Sequence, residues 1–495
     1  LLERFGHATE LRLAPREWAE THRIAVETGR PEPFGPGANS IYDLLTRPIE
    51  EAESLAVRGR LPAEGPERSA VLRGLLAKAA GRAEREMLGL RTPGELAARR
   101  ATAAAALLAI AAGFGLAVRG VARALGGASA PDNRRSRRLA GSWLLLAPAL
   151  LTILAWQYVP LARGSLMALQ DYRIMGGSAW VGLDNFGDVL WDADWWRAVW
   201  NSLRYSVLVI ALTFLPPVGL AILLQEIPRG RVLFRTLFYL PAVLSGLVVT
   251  LLWKTFYDPT ERGWLNALLL RVPAWGFLLA GALAAWLCLA FARRLALHRR
   301  GGAAAALGLA GVALFSLAVS AAEPMLARTE IAPLRRLLLT WPEPVRWLAD
   351  TRTSMLACVL PMLWAGIGPG CLIYLAALKG VPDDLYEAAE MDGATFADKV
   401  LFVVVPVLRP LLTINFIGVF IGAWLHAGGH ILAMTGGAAG TEVAELHIFY
   451  KAFVFLQFGP ATAMAWVLGS LLIGFTIQQL RMISRLEFRA AGADR

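Results

Sequence analysis

Between two membrane-length apolar blocks lies a charged stretch, Tyr386–Pro410, whose residue types suit docking rather than covalent chemistry. Glu387 supplies a charge, Ala388 and Ala389 a small flat patch that lets another surface come close, and Asp392–Gly393 a bend. Pro382 with Asp383 and Asp384 starts a helix, because proline suits the first turn and carboxylates suit its positive end. Phe396, Val400 and Val403 make a second apolar stripe, and Pro406 is expected to end that run and open the next block. The carboxylates from Asp383 to Asp398 raise the alternative of a membrane-embedded enzyme, but the alanine face and glycine bend fit docking better. The chain has no G-x4-G-K-[ST], no H-E-x-x-H and no G-x-S-x-G, so neither ATP hydrolysis by this chain alone nor a cofactor or other enzyme activity is expected. His426 and His430 have the i, i+4 spacing of a helical metal pair, yet Gly428 and Gly429 between them argue against a metal site.

The elements that must carry this stretch are membrane helices. The 495 residues are 56% hydrophobic and 18% charged, against about 45–50% and about 25% in soluble proteins. The excess sits in continuous blocks of the length needed to cross a hydrocarbon core about 30 Å thick. Continuous rather than alternating hydrophobicity makes them helices, so the fold is all-α and polytopic. Nine spans are expected: 101–118, 142–162, 203–224, 236–257, 274–292, 303–320, 355–378, 407–427 and 462–480. Cys288, Cys358 and Cys371 all fall inside such blocks and read as small hydrophobes. Ahead of them, residues 1–98 are polar, with an amphipathic helix over 67–88 that places Val71, Leu72, Leu75, Leu76 and Ala79 on one face.

The net charge of +11 follows membrane topology rather than nucleic-acid binding. Arginines crowd the loops 119–141, 225–235 and 293–302 and the tail after 480, all on one side if every span crosses. By the positive-inside rule that side is cytoplasmic, and it includes Tyr386–Pro410 and the C-terminus. The opposite loop 163–202 holds Asp171, Asp184, Asp188, Asp192 and Asp194 with five tryptophans, as an outer interface should. The same parity puts residues 1–98 outside, although Arg99 and Arg100 at the outer end of span 101–118 run against the rule.

The order Glu387-Ala388-Ala389, three residues, Gly393, nine residues, then Val403-Val404-Val405-Pro406 resembles the signature of permease subunits of bacterial ABC importers, with valines for the usual isoleucine and leucine. LAALKGVPDDLYEAAEMDGA is similar to the carbohydrate (maltose and glycerol-phosphate) branch of that family. So, in order, are LLLAPALLTILAWQYVPLARGSLMALQDY, WVGLDNF, RGRVLFRTLFYLPAVLSGLVVTLLWKTFYDP and MTGGAAGTEVAELHIFYKAF. The resemblance covers about 140–273 and 338–485. It implies a six-helix core in a bacterial inner membrane, paired with a second permease subunit, seated on two cytoplasmic ATPase subunits and fed by an extracytoplasmic solute-binding protein. Glu387, Ala388, Ala389, Asp392, Gly393 and Pro406 would then form the ATPase-coupling element within 379–406.

That reading divides the chain into an extracytoplasmic extension, 1–98; an extra span and basic linker, 99–141; core parts 142–273 and 338–485; an inserted hairpin with its outer loop, 274–337; and a tail, 486–495. An out–in–out hairpin preserves the parity of everything after it. The extension weakly resembles the C-terminal helices of solute-binding proteins, which makes a fused binding domain or its remnant one expectation and a solvated helical extension the other. Polar and aromatic residues within spans tend to face a cavity or the bundle interior, which makes Trp364, Asn415 and Trp424 candidates for a sugar path. An ion-coupled or passive carrier is the alternative; an ion-coupled one should bury acids or arginines at mid-membrane, where these spans have almost none.

Overall fold

The computed structural model describes residues 65–88, 92–125, 145–174, 177–226, 230–297, 301–328 and 330–483, with scattered positions between 46 and 62. The basic segment 126–144 and the tail from 484, both used above for orientation, lie outside the described residues. The chain falls into two units, Leu1–Leu96 with Val454–Leu456, and Ala97–Phe453 with Gln457–Arg495. In the first, helix α1 (Pro66–Leu88) half-buries Leu72, Leu75 and Ala79 and leaves Leu76 exposed.

The second unit is helical, apart from a two-stranded ribbon, β1 (Gln170–Asp171) with β2 (Ala179–Trp180). Its long helices are α2 (Pro93–Leu125), α3 (Leu145–Met167) and, after the short α4 (Asp184–Trp191), α5 (Ala193–Glu226). Next come the pair α6 (Arg231–Val243) and α7 (Gly246–Phe256), the short α8 (Trp264–Leu269) and the hairpin α9 (Ala274–Leu297) and α10 (Gly301–Leu326). The last group is α11 (Ser354–Leu378), α12 (Asp383–Met391), α13 (Phe396–Leu425), α14 (Ala427–Met434), α15 (Ala444–Phe449) and α16 (Phe458–Ile483). Among the described residues, eight helices are long and apolar enough to cross a membrane, and all eight match expected spans. Most of their surface is apolar and open: Leu145 is 85% exposed and Trp156 79%, a surface that requires lipid or another subunit rather than water.

The expected continuous span 236–257 is instead two helices, α6 and α7, bent by 97°. The cause is local. Pro241 weakens the end of α6, Leu244 and Ser245 are extended, and the Ser245 hydroxyl accepts from the Val248 amide to start α7 afresh. Gly368 of α11 makes the fit against α6 possible, since a side chain there would strike the Phe238 carbonyl.

The expectation that Pro406 ends a helix also fails. Helix α13 runs through it from Phe396 to Leu425. A π turn over Val400–Val404 precedes the proline, and the Val405 amide reaches back to the Val400 carbonyl. Proline lacks an amide and its ring crowds the carbonyl four residues back; the wider turn relieves both. The same device recurs before Pro160, with a π turn over Leu154–Tyr158, and before Pro216, with one over Ile210–Phe214. All three helices therefore keep a proline without breaking.

The expected division at 98/99 falls inside α2, whose residues Arg99, Arg100 and Thr102 meet α4. Arg99 pairs with Asp188 at 3.1 Å, Arg100 with Asp184 at 2.5 Å, and the Trp191 indole donates to the Thr102 hydroxyl at 3.0 Å. These carboxylates account for two arginines that the charge rule left unexplained.

Candidate functional site

Helix α12 is a foot. None of its residues is buried, and Leu385, Met391 (88% exposed) and Phe396 beyond it present apolar side chains to the surroundings. Local sequence builds it. Extended Pro382 leads in, and Asp383 and Asp384 occupy the first turn. The end is a Schellman cap: Gly393 at φ +74° sends its amide to the Glu390 carbonyl, and the Ala394 amide reaches the Ala389 carbonyl. Thr395 then starts α13 through a capping box, its hydroxyl accepting from the Asp398 amide while the Asp398 carboxylate accepts from the Thr395 amide at 3.0 Å. Lys399 closes the bend on Glu390 at 2.5 Å. Tyr386 anchors the other face, hydrogen-bonded to Gln225 at the end of α5 and packed on the buried cluster of Leu224, Tyr374 and Leu378. That burial raises the Tyr386 phenol above its ordinary range, with the Gln225 bond opposing. Glu387, Ala388, Asp392 and Gly393 are exposed and Ala389 half-buried, so the residues singled out by the sequence form one accessible bend; Pro406 lies beyond the π turn, in the span.

The other candidates separate. Trp364 lines a cavity of about 620 Å³ with Trp253, Phe256, Trp264, Leu265, Arg262 and Arg271. The Trp253 and Trp364 rings stand 6.2 Å apart, edge to face, and Phe256 sits 5.8 Å from Trp264. Aromatic faces flanked by guanidinium donors suit a ring-shaped, hydroxylated solute. Asn415 is hydrogen-bonded to Tyr374 between α13 and α11. Trp424 is buried beside Phe420 and Met464. The sequence reading missed Trp253, Trp264 and the two arginines, which reach Trp364 from separate helices and loops; the run of Trp and Arg around Asp258–Trp264 was the available signal.

A second construction occupies α14, the following loop and α15. The Glu445 carboxylate caps α14, accepting from the Gly428 amide at 2.6 Å. Burial raises the Glu445 carboxyl above the usual range, opposed by the amides of Gly428 and Ala427 and by His426. His430 meets the Cys358 carbonyl at 2.7 Å, and burial lowers its imidazolium. Asn201 donates to the Glu442 carbonyl, the Ser202 hydroxyl accepts from the Ala444 amide, and Ser354 donates to the Ala439 carbonyl. Among the described residues, no group of three or more His, Cys, Asp or Glu is placed to hold a metal.

Among the described residues, then, long apolar helices carry a short, exposed helical bend between α11 and α13. Residues 305–487 match the family described as "Binding-protein-dependent transport system inner membrane component". The chain is 24% identical to the "Probable ABC transporter permease protein YesP" of Bacillus subtilis, over 69% of this chain and 90% of that one. It is 25% identical to the sn-glycerol-3-phosphate transport system permease protein UgpA of Agrobacterium fabrum, over 69% and 94%. The fold matches a solved bacterial ABC transporter involved in import of the acidic polysaccharide alginate, with TM-score 0.51 and 20% identity, over 72% of this chain and all of that one. Residues 305–487 thus carry the inner-membrane component of a binding-protein-dependent transport system, and the relatives matched over about two thirds of the chain are ABC importer permeases, which with the apolar helices supports a multi-pass inner-membrane protein. Its family implies an ATPase and a solute-binding protein as partners, and its relatives are transporter permeases rather than enzymes.

Proposed function

We propose that this permease imports a carbohydrate or polyol and that ATP-driven movement enters it through α12. The observation that carries the reading is the foot itself: an exposed helix with a charged residue, Glu387, beside a small one, Ala388, held in one shape by its own caps. An element of fixed shape transmits a rigid-body displacement, where a flexible loop would absorb it. In the assembly we propose, two ATPases lie under the foot of this chain and of a second permease. The foot and the C-terminus face the cytoplasm, and residues 1–98 lie outside as the extension. The foot, the end of α5 and the arginine-bearing end of α9 lie together, as one cytoplasmic side requires. Trp364 and its aromatic neighbours are the proposed contact for the solute.

The test is Glu387→Lys in the assembled, reconstituted transporter. Hydrolysis continues while uptake stops. Normal uptake by that variant overturns the reading. Trp364→Ala should raise the solute concentration needed for half-maximal uptake and leave basal hydrolysis unchanged.

A further inference from the structure

The hairpin of α9 and α10 packs chiefly on itself. Its two helices come backbone-close: a side chain on Gly281 would strike Ala318, and one on Gly311 would stand 3.0 Å from the Cys288 side chain. Small residues at such crossings let membrane helices pack tightly without an apolar driving force.

The hairpin is tied at both ends, to the segment that follows it and to the start of α13. At one end the Ala274 amide donates to the Leu339 carbonyl at 2.9 Å and the Trp275 amide to the Leu337 carbonyl at 3.0 Å. At the other, Arg294 reaches Asp398 at 3.1 Å and the Thr395 hydroxyl. From Ala274 to Arg294 an α-helix rises about 30 Å, the thickness of a hydrocarbon core. Each tie is therefore at its own membrane face.

The second tie falls on a particular place. Thr395 and Asp398 are the two members of the capping box that starts α13 behind the foot. Arg294 uses the Asp398 oxygen other than the one bonded to the Thr395 amide. The Schellman cap that closes the foot uses only the backbone of Ala389, Glu390, Gly393 and Ala394, so the Arg294 contact bears on position more than on shape.

We propose that the hairpin is a brace and that Arg294 is a positioning residue, holding the bend between foot and span against the far membrane face while the foot is pushed. The proposal rests on the foot being the point of coupling. Its readout is solute moved per ATP hydrolysed in the reconstituted transporter, measured alongside Glu387→Lys. Arg294→Ala lowers that ratio about 1.5- to fivefold, the range of a partly exposed ion pair, and Arg294→Lys restores most of it. A merely structural arginine would lower the yield or melting point of the complex and leave the ratio unchanged. An unchanged ratio in Arg294→Ala, with coupling lost in Glu387→Lys, overturns the brace alone. Coupling retained in Glu387→Lys overturns the docking reading and the brace with it. If Arg294→Ala fails to assemble, the neutral, polar Arg294→Gln decides by the same ratio.

Discussion

The foot and the segment from Ala427 to Phe449 are both short helices joined by tight bends, and they are stabilised in opposite ways. In the foot, almost every bond lies within a few residues: Gly393 to Glu390, Ala394 to Ala389, Thr395 to Asp398. In the other segment the deciding bonds come from far along the chain: Asn201 to Glu442, Ser202 to Ala444, Ser354 to Ala439, His430 to Cys358. The foot has no buried residue, whereas Val443, Ala444 and Ile431 are fully buried. A locally built element keeps its shape while being displaced. An element built from distant contacts moves only with the helices that hold it.

Four substitutions sharpen or break this contrast. The largest effect is expected from Ser202→Ala, which strips the fully buried Ala444 amide of its acceptor at a cost of about 1–3 kcal/mol. It should lower the melting temperature of the detergent-solubilised chain. No change would mean that the far segment does not depend on that bond. Gly393→Val forces a branched residue into the left-handed region for about 1–2 kcal/mol. Hydrogen exchange should speed up in 383–395 while the melting temperature holds. A global drop matching that of Ser202→Ala would erase the distinction. Thr395→Ala removes a helix cap worth about 1 kcal/mol and should loosen the first turn of α13, again by local exchange only.

The smallest effect is a pH dependence at Glu445. Its carboxyl is raised by burial in the folded chain, so the folded form favours the proton. The stability this contributes is complete below the ordinary glutamate value, about pH 4.3, and is lost as pH rises through the raised one. Glu445→Gln keeps an acceptor for the Gly428 amide and should flatten the melting temperature as pH rises above about 4.3. An unchanged slope would assign the dependence to other groups.

The same contrast decides what could be read from sequence. Membrane spans and the foot were legible because hydropathy, helix starts and the Gly393 bend are local properties. The break between α6 and α7 was hidden, because Pro241 in α6 and Pro406 in α13 look alike in sequence yet only the second follows a π turn. The cavity was only partly legible: Trp364 was singled out, but Trp253 and Trp264 join it through packing of separate helices. The partner of Asn415, Tyr374 on the neighbouring helix, lies too far along the chain to be read from sequence.

The wide turn at Val400–Val404 has one more consequence, for aim. A π turn holds one residue more than the α-helical turn it replaces, and each residue of an α-helix advances the azimuth by about 100°. One surplus valine therefore fixes the compass bearing at which Glu387 points, relative to the span above. Deleting it would swing the bearing by roughly a quarter-circle while leaving the sequence of the foot unchanged.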